Sequence, residues 1–232
     1  MNKGVLYGVG VGPGDPGLLT LKAVDTIRKC PVVAAPRTKN GMVALDIARE
    51  AVDISGKTVL PLDFAMSRDA AARAASHRKA AAALRDILDA GESVAMLNLG
   101  DVSIFASFRY VADILSPEGY AVRMVAGVPS FCAAAAALGT SLTDMETPLR
   151  IMPDASIPED SRLDGPGTTI WMKSGKRLPE LLATLRARGS GEEVAIVQNC
   201  GMPDQRIYRG LGEEIGDGYF SLVIVKRGGE RT

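Results

Sequence analysis

The chain has 232 residues, 47% of them apolar and 5% aromatic, and its 27 basic and 27 acidic side chains cancel. That length holds one large or two modest domains, and a net charge of zero leaves no global field for nucleic acid or an anionic membrane, so any anion binding must be local. No apolar run reaches the roughly 20 residues of a membrane span, and the first residues lack the pattern of a secretory signal. Cys30, Cys132 and Cys200, odd in number and widely spaced in apolar surroundings, read as reduced core thiols without metal-ligand spacing, so a soluble cytoplasmic protein with no metal site is expected.

Residues 5–11 (VLYGVGV) read as the first strand, followed by the stiff loop 12–17 (GPGDPG) and a helix over 20–30 with Leu21, Val24 and Ile27 on one face. A short strand at 32–35, a helix at 43–52 and a strand at 57–62 come next. Residues 68–90 predict a long alanine-rich helix whose inner stripe runs near Ala72, Ala75, Ala80, Leu84, Ile87 and Leu88. The run 93–99 has no polar alternation, as in a strand buried on both faces of a parallel sheet. Gly100-Asp101 halts it, and Ile104, Phe105, Phe108, Val111, Ala112 and Leu115 predict a helix over 103–115. A strand at 120–126 and a small-residue helix at 130–138 complete a strand–helix alternation that implies a mostly parallel sheet.

The texture changes after residue 140. Prolines at 148, 153, 158 and 166 among many acids suggest a linker and short exposed strands. Strands at 168–173, 193–199, 206–211 and 219–226 with one helix at 178–188 imply a mixed or antiparallel sheet. Two α/β domains are therefore expected, 1–142 and 143–232, with a cleft between them.

Where the central strand stops at a glycine and presents a carboxylate, polar groups reach the carboxyl edge of the sheet, which is where open α/β sheets bind ligands. The plain alternative for Asp101 is a residue that caps and shapes the turn. The glycines at 12, 14 and 17 match G-x-G-x-x-G, but Pro13 and Pro16 remove N–H donors from the loop, and no acid follows the second strand to hold a ribose. Gly56-Lys57-Thr58 leads into a strand and lacks the upstream glycine of a phosphate loop. With one histidine in the chain, any imidazole chemistry rests on His77, for which the alternative is a solvated helix residue.

Residues 7–16 (YGVGVGPGDP), continuing as Leu18-Leu19-Thr20-Leu21-Lys22-Ala23, resemble the opening of the tetrapyrrole (corrin and porphyrin) methylases. Residues 99–105 (LGDVSIF) are similar to the second signature of that family, with Val102 where proline and Phe105 where tyrosine are usual. Residues 125–131 (VAGVPSF) are similar to the third, with Ala126-Gly127 in place of Pro-Gly, and Met172-Lys173 and 198–201 (QNCG) resemble the later cofactor-contacting strands. The resemblance is strongest to the branch that methylates C20 of precorrin-2 or cobalt-factor II in cobalamin synthesis.

The resemblance implies two α/β domains, S-adenosylmethionine as methyl donor with S-adenosylhomocysteine as product, a small-molecule tetrapyrrole substrate and a homodimer. Carried over by motif, the cofactor contacts are Gly100, Asp101, Ser103, Ile104, Ser130, Phe131, Met172, Asn199 and Ser221, while Gly12, Pro13, Gly14 and Asp15 border the tetrapyrrole trough. The nucleophile is the electron-rich macrocycle, so the candidates for a base at C20 are Asp101 and His77. A polycarboxylate substrate calls for guanidinium forks: Arg37 and Arg68 foremost, then Lys173, Lys176 and Arg177, each of which taken alone is more often just a solvated charge. Two further readings stand beside this one: a methylase acting on a later corrin intermediate, an RNA ribose or a protein side chain, and a non-catalytic nucleotide- or tetrapyrrole-binding module.

Overall fold

The computed structural model describes residues 3–67, 69–153, 165–188, 192–212, 215, 216, 218 and 220–228. The chain divides into two compact units, Met1–Pro129 and Ser130–Thr232.

Unit one is a five-stranded sheet of β1 (Val5–Gly10), β2 (Val32–Arg37), β3 (Thr58–Asp63), β4 (Val94–Asn98) and β5 (Ala121–Val125) in the order β3-β2-β4-β1-β5. Every neighbouring pair is parallel. The helices are α1 (Leu21–Lys29), α2 (Val43–Ala51), α3 (Ala70–Asp89) and α4 (Phe108–Leu115). Alternation along β4 shows the layering. Ala95 and Leu97 pack with Ile27 of α1 and Leu45 of α2, whereas Val94 and Met96 pack with Leu84 of α3 and Val111 of α4. All five residues of β4 are buried, as its unalternating sequence requires.

Local chemistry sets most of the ends. Thr20 caps α1 by accepting from the Ala23 N–H at 3.1 Å, and Asp69 caps α3 by accepting from Ala71 at 2.8 Å. Lys57 donates to the carbonyls of Arg28 and Cys30, both at 2.8 Å, so the Gly56-Lys57-Thr58 lysine serves the C-terminus of α1. β2 runs through Arg37, beyond the predicted end at 35. β4 pairs with it only as far as Ala34, so by Pro36 the strand has β3 as its one ladder partner and a missing N–H is tolerated.

Three expectations need correction. α4 starts at Phe108, not at 103, because residues 101–107 form a turn in which Phe105 takes φ 50°. The buried stripe of α3 is Ala80, Ala81, Leu84 and Leu88, with Ala75 exposed, since a run of alanines carries no apolar contrast from which to read a phase. Cys132 is exposed on its alanine-rich helix for the same reason, while Cys30 and Cys200 are buried. Burial pushes the Cys30 thiol up to about 11, which makes it inert.

Unit two begins with α5 (Ser130–Leu138), which packs on β10, so this helix goes with the second unit instead of the first. Its sheet is mixed, as expected, with β6 (Leu149–Pro153), β7 (Gly167–Met172), β8 (Glu192–Gln198), β9 (Arg206–Arg209) and β10 (Ser221–Arg227) in the order β6-β7-β10-β8-β9. Only the β6–β7 pair is parallel among the described strands of that sheet. The core gathers Trp171, Ile196 and Val223 against Leu178, Leu181 and Leu185 of α6 (Leu178–Arg188). No helix among the described residues is long and apolar enough to cross a membrane.

Candidate functional site

In unit one the connection from β1 passes over β4 to reach β2 on the α1 face, and the connection from β4 passes over β1 to reach β5 on the α4 face. β4 and β1 therefore flank a topological switch point, and the crevice outside their carboxyl ends is where an open α/β sheet takes a ligand. Three loops meet there.

They meet backbone to backbone, through glycines. Gly12 and Gly100 form a two-way bridge, Gly100 N–H to Gly12 carbonyl at 2.7 Å and the reverse at 3.2 Å, with φ of 76° and 73°. A β-carbon on Gly10 would lie 2.7 Å from the Gly100 carbonyl oxygen and from the Gly127 nitrogen. One on Gly127 would lie 2.3 Å from that same oxygen. Side chains are excluded at these positions because the chain itself fills the space. Gly8 serves a related purpose in β1, where a β-carbon would stand 2.6 Å from the Phe108 ring.

Asp101 ties the loops together. Its Oδ1 accepts from the Ser103 N–H at 2.8 Å and from the Ser103 hydroxyl, and its Oδ2 accepts from the Gly127 N–H at 2.8 Å. Burial pushes this carboxyl up, but the hydrogen bonds from Ser103 and Gly127 outweigh it and hold the group below the usual carboxylate range. A saturated carboxylate of lowered pKa is a weak base, so the geometry favours the turn-shaping role for Asp101 over the proton-accepting one. Asn98, buried at the end of β4, accepts from the Phe108 N–H at 3.3 Å through its side chain and from the Val11 N–H at 3.0 Å through its carbonyl, so it starts α4 and fixes the β1 loop. Sequence reading passed over it, though an amide closing an otherwise apolar strand was its signal.

The turn leaves Ser103 and Phe105 exposed and Ile104 half-buried. The 12–17 loop is not a pyrophosphate cradle. Gly12 donates to Gly100, Gly17 donates to the Asp15 side chain at 2.7 Å, and Leu18 donates to the Asp15 carbonyl at 3.0 Å. Pro13 and Gly14 are buried, and Asp15 is exposed where it caps the short 3-10 turn Pro16–Leu18.

His77, in the first half of α3, lies flat on Tyr110 of α4 with ring centroids 4.2 Å apart and planes 5° apart, and Phe64 stands tilted 6.0 Å away. It is therefore no solvated helix residue. Burial and the nearby Arg73 charge push its imidazole below the ordinary histidine range, so the ring is neutral at neutral pH. Tyr110 and Phe64 were missed because nothing local in the chain shows that α4 and the loop after β3 bring them to His77. Arg37 is held by Asp63 of the adjacent strand β3, Nε to Oδ1 at 2.9 Å and Nη2 to Oδ2 at 2.6 Å. Arg68 and the side chain of Lys176 lie outside the described residues.

In unit two, Ser130 opens α5 half-buried and Phe131 is buried. Met172 ends β7 and is followed by Lys173 at φ 58°; Asn199 follows β8 at φ 51° with its Nδ2 donating to Asp204 at 2.6 Å. Non-glycine residues in the left-handed region at the carboxyl ends of β7 and β8, the two strands that flank β10, mark backbone held against its preference. Ser221 is buried and its hydroxyl is spent, donating to the Gly218 carbonyl at 2.7 Å and accepting from Gln198 at 3.0 Å. Arg177 pairs with Glu180 at 3.1 Å.

A family model described as Tetrapyrrole (Corrin/Porphyrin) Methylases matches residues 5–216. The chain is 34% identical over 235 residues, 98% of this chain and 99% of the relative, to a Methanocaldococcus jannaschii protein named "Probable cobalt-precorrin-2 C(20)-methyltransferase". It is 29% identical over 97% of both chains to the cobalt-precorrin-2 C(20)-methyltransferase of Salmonella typhimurium. Among solved structures, the uroporphyrin-III C-methyltransferase of Thermus thermophilus complexed with S-adenosylhomocysteine covers 96% of this chain and 92% of its own with a TM-score of 0.71 at 24% identity. A cobalamin synthesis related protein of Corynebacterium diphtheriae covers 97% and 99% with a TM-score of 0.76 at 18% identity, a likeness of fold.

Proposed function

This chain belongs to the tetrapyrrole (corrin/porphyrin) methylases, and from that membership we propose that it transfers a methyl group from S-adenosylmethionine to C20 of precorrin-2 or its cobalt-containing counterpart in cobalamin synthesis. The observation that carries the reading is the likeness to relatives named for this reaction, which spans 97–98% of this chain and 97–99% of theirs.

The methyl donor fits the residues present. The switch-point edge of unit one offers a turn of fixed backbone, with the Ser103 hydroxyl and the Ile104 and Phe105 side chains beside it. Gly100, Asp101, Ser103 and Ile104 would hold the donor there, Asp101 through the backbone it positions. By the family resemblance, the candidate donor contacts within unit two are Ser130, Phe131, Met172 and Asn199. Ser221 contributes through its backbone, its hydroxyl being spent inside the fold. When bound, the donor supplies an electrophilic methyl group on a sulfonium. The protein supplies placement and exclusion of water, because the macrocycle carbon is itself the nucleophile. Gly12, Pro13, Gly14 and Asp15 would border the macrocycle.

His77 is the better candidate for removing the C20 proton, being neutral and held in orientation by Tyr110. His77→Ala should lower turnover by at least roughly tenfold and leave S-adenosylhomocysteine affinity unchanged. With wild-type protein, the acid limb of the rate profile should fall below the ordinary histidine range, as the lowered pKa requires. A wild-type rate in the variant removes His77 from the mechanism.

The deciding experiment incubates the protein with S-adenosylmethionine and either precorrin-2 or cobalt-factor II, following the mass gain of one methyl for hydrogen and the visible spectrum. Methylation of a later intermediate instead would place the chain elsewhere in the family, and failure to bind S-adenosylhomocysteine in calorimetry would make it a binding module. The homodimer and the cytoplasmic location are part of this proposal, supported by the family resemblance and tested by light scattering and by fractionation.

A further inference from the structure

Arg37 and Asp63 end adjacent parallel strands and face each other directly in register. A long side chain whose neighbour one strand over is a carboxylate folds onto that neighbour, and here it does so side-on, through Nε and Nη2. A guanidinium has a second fork, formed by Nη1 and the outer hydrogen of Nη2. No described residue occupies it. Both side chains are about half exposed, 54% and 57%, at the carboxyl edge of the sheet. Thus the pair balances the arginine's charge but uses only one of its forks; it orients the guanidinium and leaves one planar two-donor face open to a second carboxylate.

Resting on the reading of the substrate as a carboxylate-bearing tetrapyrrole, we infer that Asp63 is a positioning residue that presets Arg37, and that the open fork of Arg37 receives one carboxylate of the macrocycle. The immediate surroundings suit such a ligand. Phe64 follows Asp63 in the chain and packs by His77, which lies on the half-exposed Tyr110, so an aromatic cluster follows directly on the carboxylate that holds the charged fork. The Arg37 hydrogen bonds hold the Asp63 carboxyl below its usual range, and the Lys79 charge on α3 acts in the same direction, so the pair is intact at neutral pH. An isolated surface ion pair contributes little to stability, so the arrangement makes more sense as preorganisation than as a fold-stabilising contact.

The test uses four full-length variants, Arg37→Ala, Arg37→Lys, Asp63→Asn and the double Arg37→Ala/Asp63→Asn. It measures KM for precorrin-2, Kd for uroporphyrin (an octacarboxylic tetrapyrrole), Kd for S-adenosylhomocysteine and Tm. Arg37→Ala should raise KM and the uroporphyrin Kd roughly ten- to hundredfold, and Asp63→Asn roughly three- to tenfold. Asp63→Asn should add nothing once Arg37 is gone, because it acts only through that side chain. Arg37→Lys should keep the Tm and recover only part of the binding, since lysine lacks the fork. S-Adenosylhomocysteine affinity should not move. Tighter binding by Asp63→Asn would make Asp63 a competitor of the substrate, and additive or absent effects would make the pair purely structural; either overturns the inference. If uroporphyrin binding shows the expected pattern while precorrin-2 is not methylated, the C20 assignment fails and the fork stands. Methylation with no effect of any variant is the reverse case, and neither binding nor turnover by the wild type overturns both.

Discussion

Gly127→Ala should abolish S-adenosylhomocysteine binding and lower the melting temperature by roughly 5–10 °C, the shift that an overpacking cost of about 2–3 kcal/mol gives in a chain of this size. The reason is backbone against backbone. The new β-carbon would meet the Gly100 carbonyl oxygen at 2.3 Å and the Gly10 carbonyl carbon and Cα at 2.8 Å. No rotamer change relieves such a contact, so the β5 loop must move off the β4 turn, and with it goes the Gly127 N–H that binds Asp101. Gly56→Ala, where nothing lies within 4 Å of the added carbon, is the control and should leave both quantities within error. A thermal melt and a calorimetric titration decide it. Unchanged binding in the folded Gly127 variant would remove the switch-point edge from the cofactor site.

Asp101→Ala is expected to have the next largest effect. It leaves the N–H groups of Ser103 and Gly127 without their charged acceptor, and each such bond contributes about 1.5–3 kcal/mol. S-Adenosylhomocysteine affinity and kcat should fall in step, because the residue shapes the turn; a kcat loss confined to saturating cofactor would instead mark Asp101 as the base. Asp101→Asn should recover part of the loss, keeping one acceptor oxygen. The pH dependence has a definite sign. The carboxyl lies below its reference value of 3.8 in the folded chain, so its contribution is complete above that value and is lost as pH falls through the lower folded pKa. The stability gap between wild type and Asp101→Asn should be flat from neutral pH down to about 4 and close below it.

The order and kind of the elements were legible in the chain because periodicity is local. The unalternating run around Met96 carried the signature of a strand covered on both faces, and the late strands implied a mixed or antiparallel sheet, of which the structure has the mixed one. Chemical arguments were available too: Pro13 and Pro16 counted against a pyrophosphate cradle, and the spent donors of Gly12 and Gly17 agree. Three kinds of fact were decided by tertiary structure alone. Phase was lost wherever side chains lacked contrast, so the alanines of α3 and the facing of Cys132 waited for packing to choose. Backbone reversal was hidden at Phe105, which fits a helical apolar pattern but sits at φ 50° because the turn around Asp101 imposes it. Partners distant in sequence were the last: Asp101 meets Gly127, His77 meets Tyr110, and Arg37 meets Asp63. A residue's type states what it can bind, whereas strand order and register state what stands opposite it. That is why the candidate residues could be named from the chain, and why their roles, Asp101 as a tie and Arg37 as an aimed fork, followed only from the sheet that places them.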